Sequence, residues 1–156
     1  MKLVLITVGK KMPDWVNTAF SEYNKRLPAE LNLHVVEVIP AKRNKSTTVA
    51  AVMKEEMQRI QAALPRGAIK VVLDENGRQL SSTGLSKKID NWQQEGRDIA
   101  LIIGSADGLD DDLLESADFS WSLSSLTLPH ALVRVIVAEQ IYRAWSILSN
   151  HPYHRE

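Results

Sequence analysis

The run DIALIIG, residues 98–104, most constrains what this chain can fold into. Its central residues are apolar without alternation. A strand apolar on both faces has to be covered on both faces, which is the condition of a parallel strand between layers of helices. LVLITV (3–8), LHVVEVI (33–39) and IKVVL (69–73) read as further strands, and FSWSLS (119–124) alternates apolar residues with serine. Helical patterns fill the intervals. In 12–27, Pro13 suits a first helical turn and Trp15, Ala19, Tyr23 and Leu27 recur every four residues. Residues 47–64 carry Val49, Val52, Met53, Met57, Ile60 and Leu64 at helical spacing; 81–95 reads as a helix, DLLES as a short one, and 129–149 as a long one opened by Pro129. Strand–helix alternation predicts one α/β domain over 1–156, with a mainly parallel sheet and helices on both faces.

Composition excludes several functions. The chain has no cysteine, which rules out a disulfide framework, a thiolate zinc site and a cysteine nucleophile, and fits a cytoplasmic location. The apolar run in MKLVLITVGK is too short for a signal peptide core or a membrane span, so no membrane contact is expected. Lysine and arginine number 19, as do aspartate and glutamate. That neutrality argues mildly against a binder of naked nucleic acid, although local patches can act. Basic residues gather at Lys10–Lys11, at Lys25–Arg26 and most densely in PAKRNKS (40–46), where Lys42, Arg43 and Lys45 are candidate phosphate contacts. Acids gather at Asp107, Asp110, Asp111, Asp112 and Glu115 without EF-hand spacing; acids at a helix start are favoured by its dipole, and no metal is expected.

In open parallel sheets, ligands bind beyond the C-terminal strand ends. Two segments fall there. IIGSADGL (102–109) brackets a turn with Gly104 and Gly108 but matches neither GxGxxG nor the P-loop. SLSSLTLPH (122–130) interleaves hydroxyls with leucines, a pattern able to offer main-chain polar groups beside an apolar surface. The helix that follows is apolar almost all round, with a narrow stripe of Glu139, Arg143, Ser146 and Asn150. Such a helix is buried on more than one side, which suggests a homodimer. Glu139 stands four residues before Arg143, the favourable order for an ion pair. The chain then closes on HPYHRE (151–156), two histidines, a tyrosine, an arginine and a carboxylate in a tail.

From its opening LxxxxVGK to its end, and most specifically in SLSSLTLPHALVRVIVAEQIYRAWSILSNHPYH (122–154), the chain resembles the ribosomal RNA large subunit methyltransferase H family of the SPOUT superfamily. The resemblance implies a C-terminal trefoil knot, contrary to the usual absence of knots. It implies that S-adenosyl-methionine is the cofactor, contacted by Leu73, Gly104, Leu123, Ser124, Ser125, Leu126, Thr127 and Leu128. It implies a homodimer through the C-terminal helix, and methylation of N3 of a pseudouridine in 23S rRNA, within the assembled 70S ribosome. In that reading His154 accepts the N3 proton, Arg155 and Arg143 hold phosphate or stabilise charge on the base, and Tyr153 stacks on or orients it. The tail then completes its own pocket or the partner's. His130 is a further substrate-side candidate, or only a helix cap. The family commonly has two adjacent glycines where this chain has Gly104–Ser105, and serine is expected to be tolerated. From the residues alone, a non-catalytic ribosome-binding factor on the same fold stays open, as does a SPOUT enzyme acting on tRNA.

Overall fold

The computed structural model describes residues 1–9 and 11–155; Lys10 of the first basic pair and Glu156 of the tail lie outside the described residues. Five strands, β1 (Leu3–Val8), β2 (Leu33–Val38), β3 (Ile69–Gln79), β4 (Ile99–Ile103) and β5 (Phe119–Ser122), form one sheet in the order β2-β1-β4-β3-β5. Every pairing is parallel. The helices are α1 (Asp14–Asn24), α2 (Val49–Ala63), α3 (Ser82–Glu95), α4 (Asp111–Ser116) and α5 (His130–Leu148).

Side-chain alternation along the strands splits the core in two. Leu3 and Leu5 of β1 and Ile99, Leu101 and Ile103 of β4 pack with Leu85, Ile89 and Trp92 of α3 and Val137 and Ile141 of α5. Val4, Ile6 and Val8, with Ala100 and Ile102, face the other way onto Met57 and Ile60 of α2 and Leu113 of α4. All five residues of β4 are buried, as an unalternating apolar run requires. Helix α5 packs against both α1 and α3.

Three local expectations need correction. On α1 the buried residue is Val16, with Phe20, Tyr23 and Leu27 following it into the core, while Trp15 is 56% exposed. The inward stripe therefore departs from the four-residue series at its start, with Val16 and Phe20 in place of Trp15 and Ala19, and rejoins it at Tyr23 and Leu27. On α2, Val49 is 56% exposed and the buried stripe runs Val52, Glu56, Met57, Ile60. Strand β3 continues beyond Leu73 to Gln79 through the polar stretch DENGRQ, with a register shift between Leu73 and Arg78, both opposite Trp121. The acidic run is structural at its start: Asp110 caps α4, its Oδ1 accepting the Asp112 N–H at 2.9 Å. Among the described residues no helix is long and apolar enough to cross a membrane.

Leu101 is fully buried in the central strand pair, so Leu101→Ala should cost about 2–5 kcal/mol of unfolding free energy. Urea titration of both proteins measures this directly.

Candidate active site

The strands β4, β3 and β5 are neighbours, and a cleft of about 460 Å³ opens at the C-terminal ends of β4 and β5 and beside the middle of β3. That volume lies within the range of roughly 300–1,000 Å³ usual for small-molecule sites. Leu73 and Asp74 come from β3, Ile103 and Gly104 from the end of β4, and Trp121 from β5; the turn 105–109 and the segment 123–128 supply the remaining walls with His130.

Gly104 starts the turn. A Cβ there would lie 2.7 Å from the Gly108 carbonyl oxygen and 2.8 Å from Leu109, so only glycine fits this close approach. Ser105 bridges back to Gly108, whose φ of 84° is left-handed. Ser105 itself does not have positive φ; Asn150 is the sole non-glycine in that region among the described residues. Serine therefore meets no backbone strain where the family commonly has a second glycine.

His130 holds this turn from α5. Its Nδ1 lies 2.8 Å from the Gly104 carbonyl oxygen, an acceptor only, so Nδ1 carries the proton. Nε2 is buried with no partner among the described residues. Burial first, then the Arg134 charge, pushes the His130 pKa down, although the Gly104 bond works the other way. Arg134, 3% exposed, donates from Nη2 to the Thr7 hydroxyl at 2.8 Å, and its Nη1 is 3.9 Å from Glu37. Burial lowers its pKa too, opposed by Glu37. On the opposite wall Thr127 Oγ1 donates to Glu75 Oε2 at 2.8 Å, tying the segment between β5 and α5 to the middle of β3.

Of the residues expected to contact a cofactor, Leu73, Gly104, Leu123, Ser124, Leu126, Thr127 and Leu128 all line the cleft, and Ser125 does not. His130 lines it as well. Sequence reasoning missed Met53, Asp74, Glu75, Trp121 and Val133. The acid cluster had flagged Asp107 and Asp111, which line it too, but as helix-start charges. Asp107 pairs with Arg43, so one member of the basic loop reaches the cleft's rim; Lys42 and Lys45 are exposed.

The tail residues assemble elsewhere. Glu139 Oε1 accepts from Arg143 Nε at 2.9 Å, Arg143 Nη2 at 2.7 Å and the Tyr153 hydroxyl at 3.0 Å. The Arg143 guanidinium lies 4.8 Å from the Tyr153 ring centre, and its Nη1 is 3.3 Å from His154 Nδ1. Tyr153 packs on Tyr142 at 4.6 Å between ring centres. Burial, then the Glu139 carboxylate, raises the Tyr153 pKa. Burial works against the charged form of Arg143, yet Glu139 raises its pKa overall. The structure thus gathers Arg143, Tyr153 and His154, with Arg155 exposed beside them, but no residue of 143–155 lines this chain's cleft. His151 is not simply solvated: its Nδ1 accepts the Tyr153 N–H at 3.2 Å and its ring lies 5.3 Å from that of Trp145.

His130 is held neutral, with its pKa lower in the folded chain than in the unfolded one. Its contribution to stability is full above the unfolded value of about 6.5 and is lost as pH falls through the folded value. Unfolding free energies measured from about pH 7.5 down to about pH 5.5 should therefore fall less steeply in His130→Gln than in the unsubstituted protein.

Comparisons with known proteins agree with this architecture. The family model described as "Predicted SPOUT methyltransferase" matches residues 1–154. The ribosomal RNA large subunit methyltransferase H of Hydrogenovibrio crunogenus is 54% identical over 156 residues, covering all of both chains. That of Paraburkholderia phymatum is 53% identical over 155 residues, covering 99% of each. Among solved structures, a probable methylase family protein from Haemophilus influenzae superposes with a TM-score of 0.57 over 99% of this chain and 70% of its own, at 11% identity, a likeness of fold. The chain belongs to the ribosomal RNA large subunit methyltransferase H family, within the SPOUT methyltransferases.

Proposed function

We propose that this protein transfers a methyl group from S-adenosyl-methionine to N3 of a pseudouridine in 23S rRNA, acting on the assembled 70S ribosome in the cytoplasm. The observation that carries the reading is the cleft's chemistry. Asp74, Glu75, Asp107 and Asp111 line it beside Leu73, Leu123, Leu126 and Leu128. Carboxylates suit a ligand with a cationic sulfonium and ammonium, and would repel the phosphates of a nucleotide. The leucines offer apolar surface to an adenosyl group, and Gly104 lets the turn that walls the cleft fold tightly back on Gly108 and Leu109. S-adenosyl-methionine bound there supplies an electrophilic methyl group for in-line transfer to a nitrogen nucleophile.

The remaining work falls to the chain's own residues. Neutral pseudouridine N3 carries a proton that has to leave, and His154 is the acceptor. Arg143 can only donate, so its contact with His154 makes Nδ1 the accepting nitrogen in that contact. Substrate entry has to displace that contact before Nδ1 takes the proton. Arg143 and Arg155 then face the base carbonyls or a neighbouring phosphate, where fixed guanidinium charges stabilise developing anionic character. Tyr153 presents its ring to the base. The exposed basic loop, with Lys42 and Lys45, meets the ribosome.

The tail serves the partner's cleft in a homodimer. Its own cleft contains none of it, and α5 leaves Leu132 39% exposed, with Val135 and Ile136 half-buried near it on the same side of the helix. That apolar strip continues the helix on which the tail is anchored, and a two-fold partner would cover it. The same reading places the C-terminal segment through a trefoil knot; the His130–Gly104 bond, joining residues 26 apart across the cleft, is consistent with it.

The decisive assay incubates 70S ribosomes, free 50S subunits and naked 23S rRNA with the protein and S-adenosyl-methionine, and identifies the modified nucleoside by mass spectrometry. N3-methylpseudouridine from 70S ribosomes is expected; its absence from all three substrates refutes the reading. His154→Ala and Arg155→Ala should each lower turnover at least ~100-fold while leaving cofactor affinity within about twofold. Calorimetry and single-turnover kinetics separate the two effects.

A further inference from the structure

Glu56 stands in the buried stripe of α2 at 3% exposure, among Val52, Met57 and Ile60. A carboxyl group in such a place is costly unless both oxygens are satisfied. Oε2 accepts the Ala41 N–H at 3.1 Å, from the first residue of the segment carrying the basic loop. Oε1 accepts the Ser105 hydroxyl at 2.8 Å, from the turn that forms one wall of the cleft. The same Ser105 oxygen lies 3.4 Å from Arg43 Nη2, and Arg43 Nη1 pairs with Asp107 two residues further along that turn. Two loops that follow different strands are thus cross-linked by one buried acid and one hydroxyl. None of these bonds belongs to the sheet, and a glycine at 105 would form neither side-chain bond.

We propose that Glu56 is a positioning residue for the cleft: through Ser105 it fixes the Gly104–Gly108 turn and locks to it the basic loop that carries Arg43. The inference rests on reading the cleft as the S-adenosyl-methionine site. In consequence the cofactor wall and the segment facing the ribosome move as one body. Removing the strut frees the turn, so the cofactor meets a wall that must be ordered on binding; the loss falls on affinity rather than on the chemical step.

The test uses the full-length protein and four variants: Ser105→Ala, Glu56→Ala, Glu56→Gln and Ser105→Ala combined with Glu56→Ala. Calorimetry gives the Kd for S-adenosyl-methionine, and steady-state methylation of 70S ribosomes separates KM from kcat. Ser105→Ala should raise both Kd and KM for the cofactor roughly five- to tenfold, the size expected when a buried acceptor loses its donor, with kcat at saturation within about twofold. Glu56→Ala should do at least as much, and the double variant should fall short of the product of the single effects, because both remove one strut. Glu56→Gln keeps a carbonyl acceptor and should recover most of the affinity; Ser105→Ala, which removes the donor while Glu56 still fills its place, separates the strut from mere packing. A Ser105→Ala protein with unchanged Kd and KM overturns the proposal even if Glu56→Ala fails to fold. No binding of S-adenosyl-methionine by the unsubstituted protein overturns the reading of the cleft and this proposal with it.

Discussion

The hydrogen bond from His130 Nδ1 to the Gly104 carbonyl oxygen is the join on which the site depends. Gly104 follows the buried strand β4, and His130 begins the helix that carries Glu139 and Arg143 and leads into the tail. The bond fixes the start of α5 against the strand end, and the segment 122–129 between β5 and α5 is thereby held over the cleft. Thr127 and Glu75 pin that segment at its other side. A neutral imidazole suits the place, because a second cation beside buried Arg134 would be poorly tolerated. The cleft walls are thus set by side chains from three strands before any ligand arrives, which is how a site gains affinity by preorganisation.

From the middle of the same helix, Glu139 does the corresponding work for the tail. Its carboxylate takes hydrogen bonds from Arg143, from the Tyr153 hydroxyl and, through Oε2, from Gln140 at 2.7 Å. These bonds, with the Tyr142–Tyr153 ring contact, turn a chain end that would ordinarily fray into an ordered group. One helix therefore bears two structured ends with different tasks, a cleft at its N-terminus and a cluster of donors and rings at its C-terminus. In the proposed homodimer a symmetric partner would bring one end to the other.

Much of the fold is legible in the sequence because burial leaves a direct mark. Five consecutive apolar residues in β4 need cover on both sides, and the parallel sheet follows. The cleft residues Gly104, Leu123, Ser124, Leu126, Thr127 and Leu128 are legible for a related reason: they follow strand ends, as a glycine turn in one segment and as hydroxyls interleaved with leucines in the other. What stays hidden is set by tertiary context. In α1 a four-residue recurrence fits Trp15 and Val16 alike, and only packing on α5 and the sheet chooses Val16. The extension of β3 through DENGRQ has no apolar signal, because it pairs along an edge against β5 with a shifted register. Glu56 looks like any solvated helix charge. The one available clue is its position four residues after Val52 and four before Ile60, on the inward stripe. The tail's cluster was visible as composition, while its separation from the cleft of its own chain was not.

The central claim is that cleft and tail meet only across a dimer, and mixed subunits test it most directly. A cleft-blocked subunit, Gly104→Val, is co-expressed in equal amounts with a tail-deficient one, His154→Ala, and 70S methylation is measured. Each variant alone should be nearly inactive. The mixture should recover about one quarter of the unsubstituted rate, because half of the random dimers pair one intact cleft with one intact tail in one of their two sites. A mixture no more active than its two parents would contradict the account.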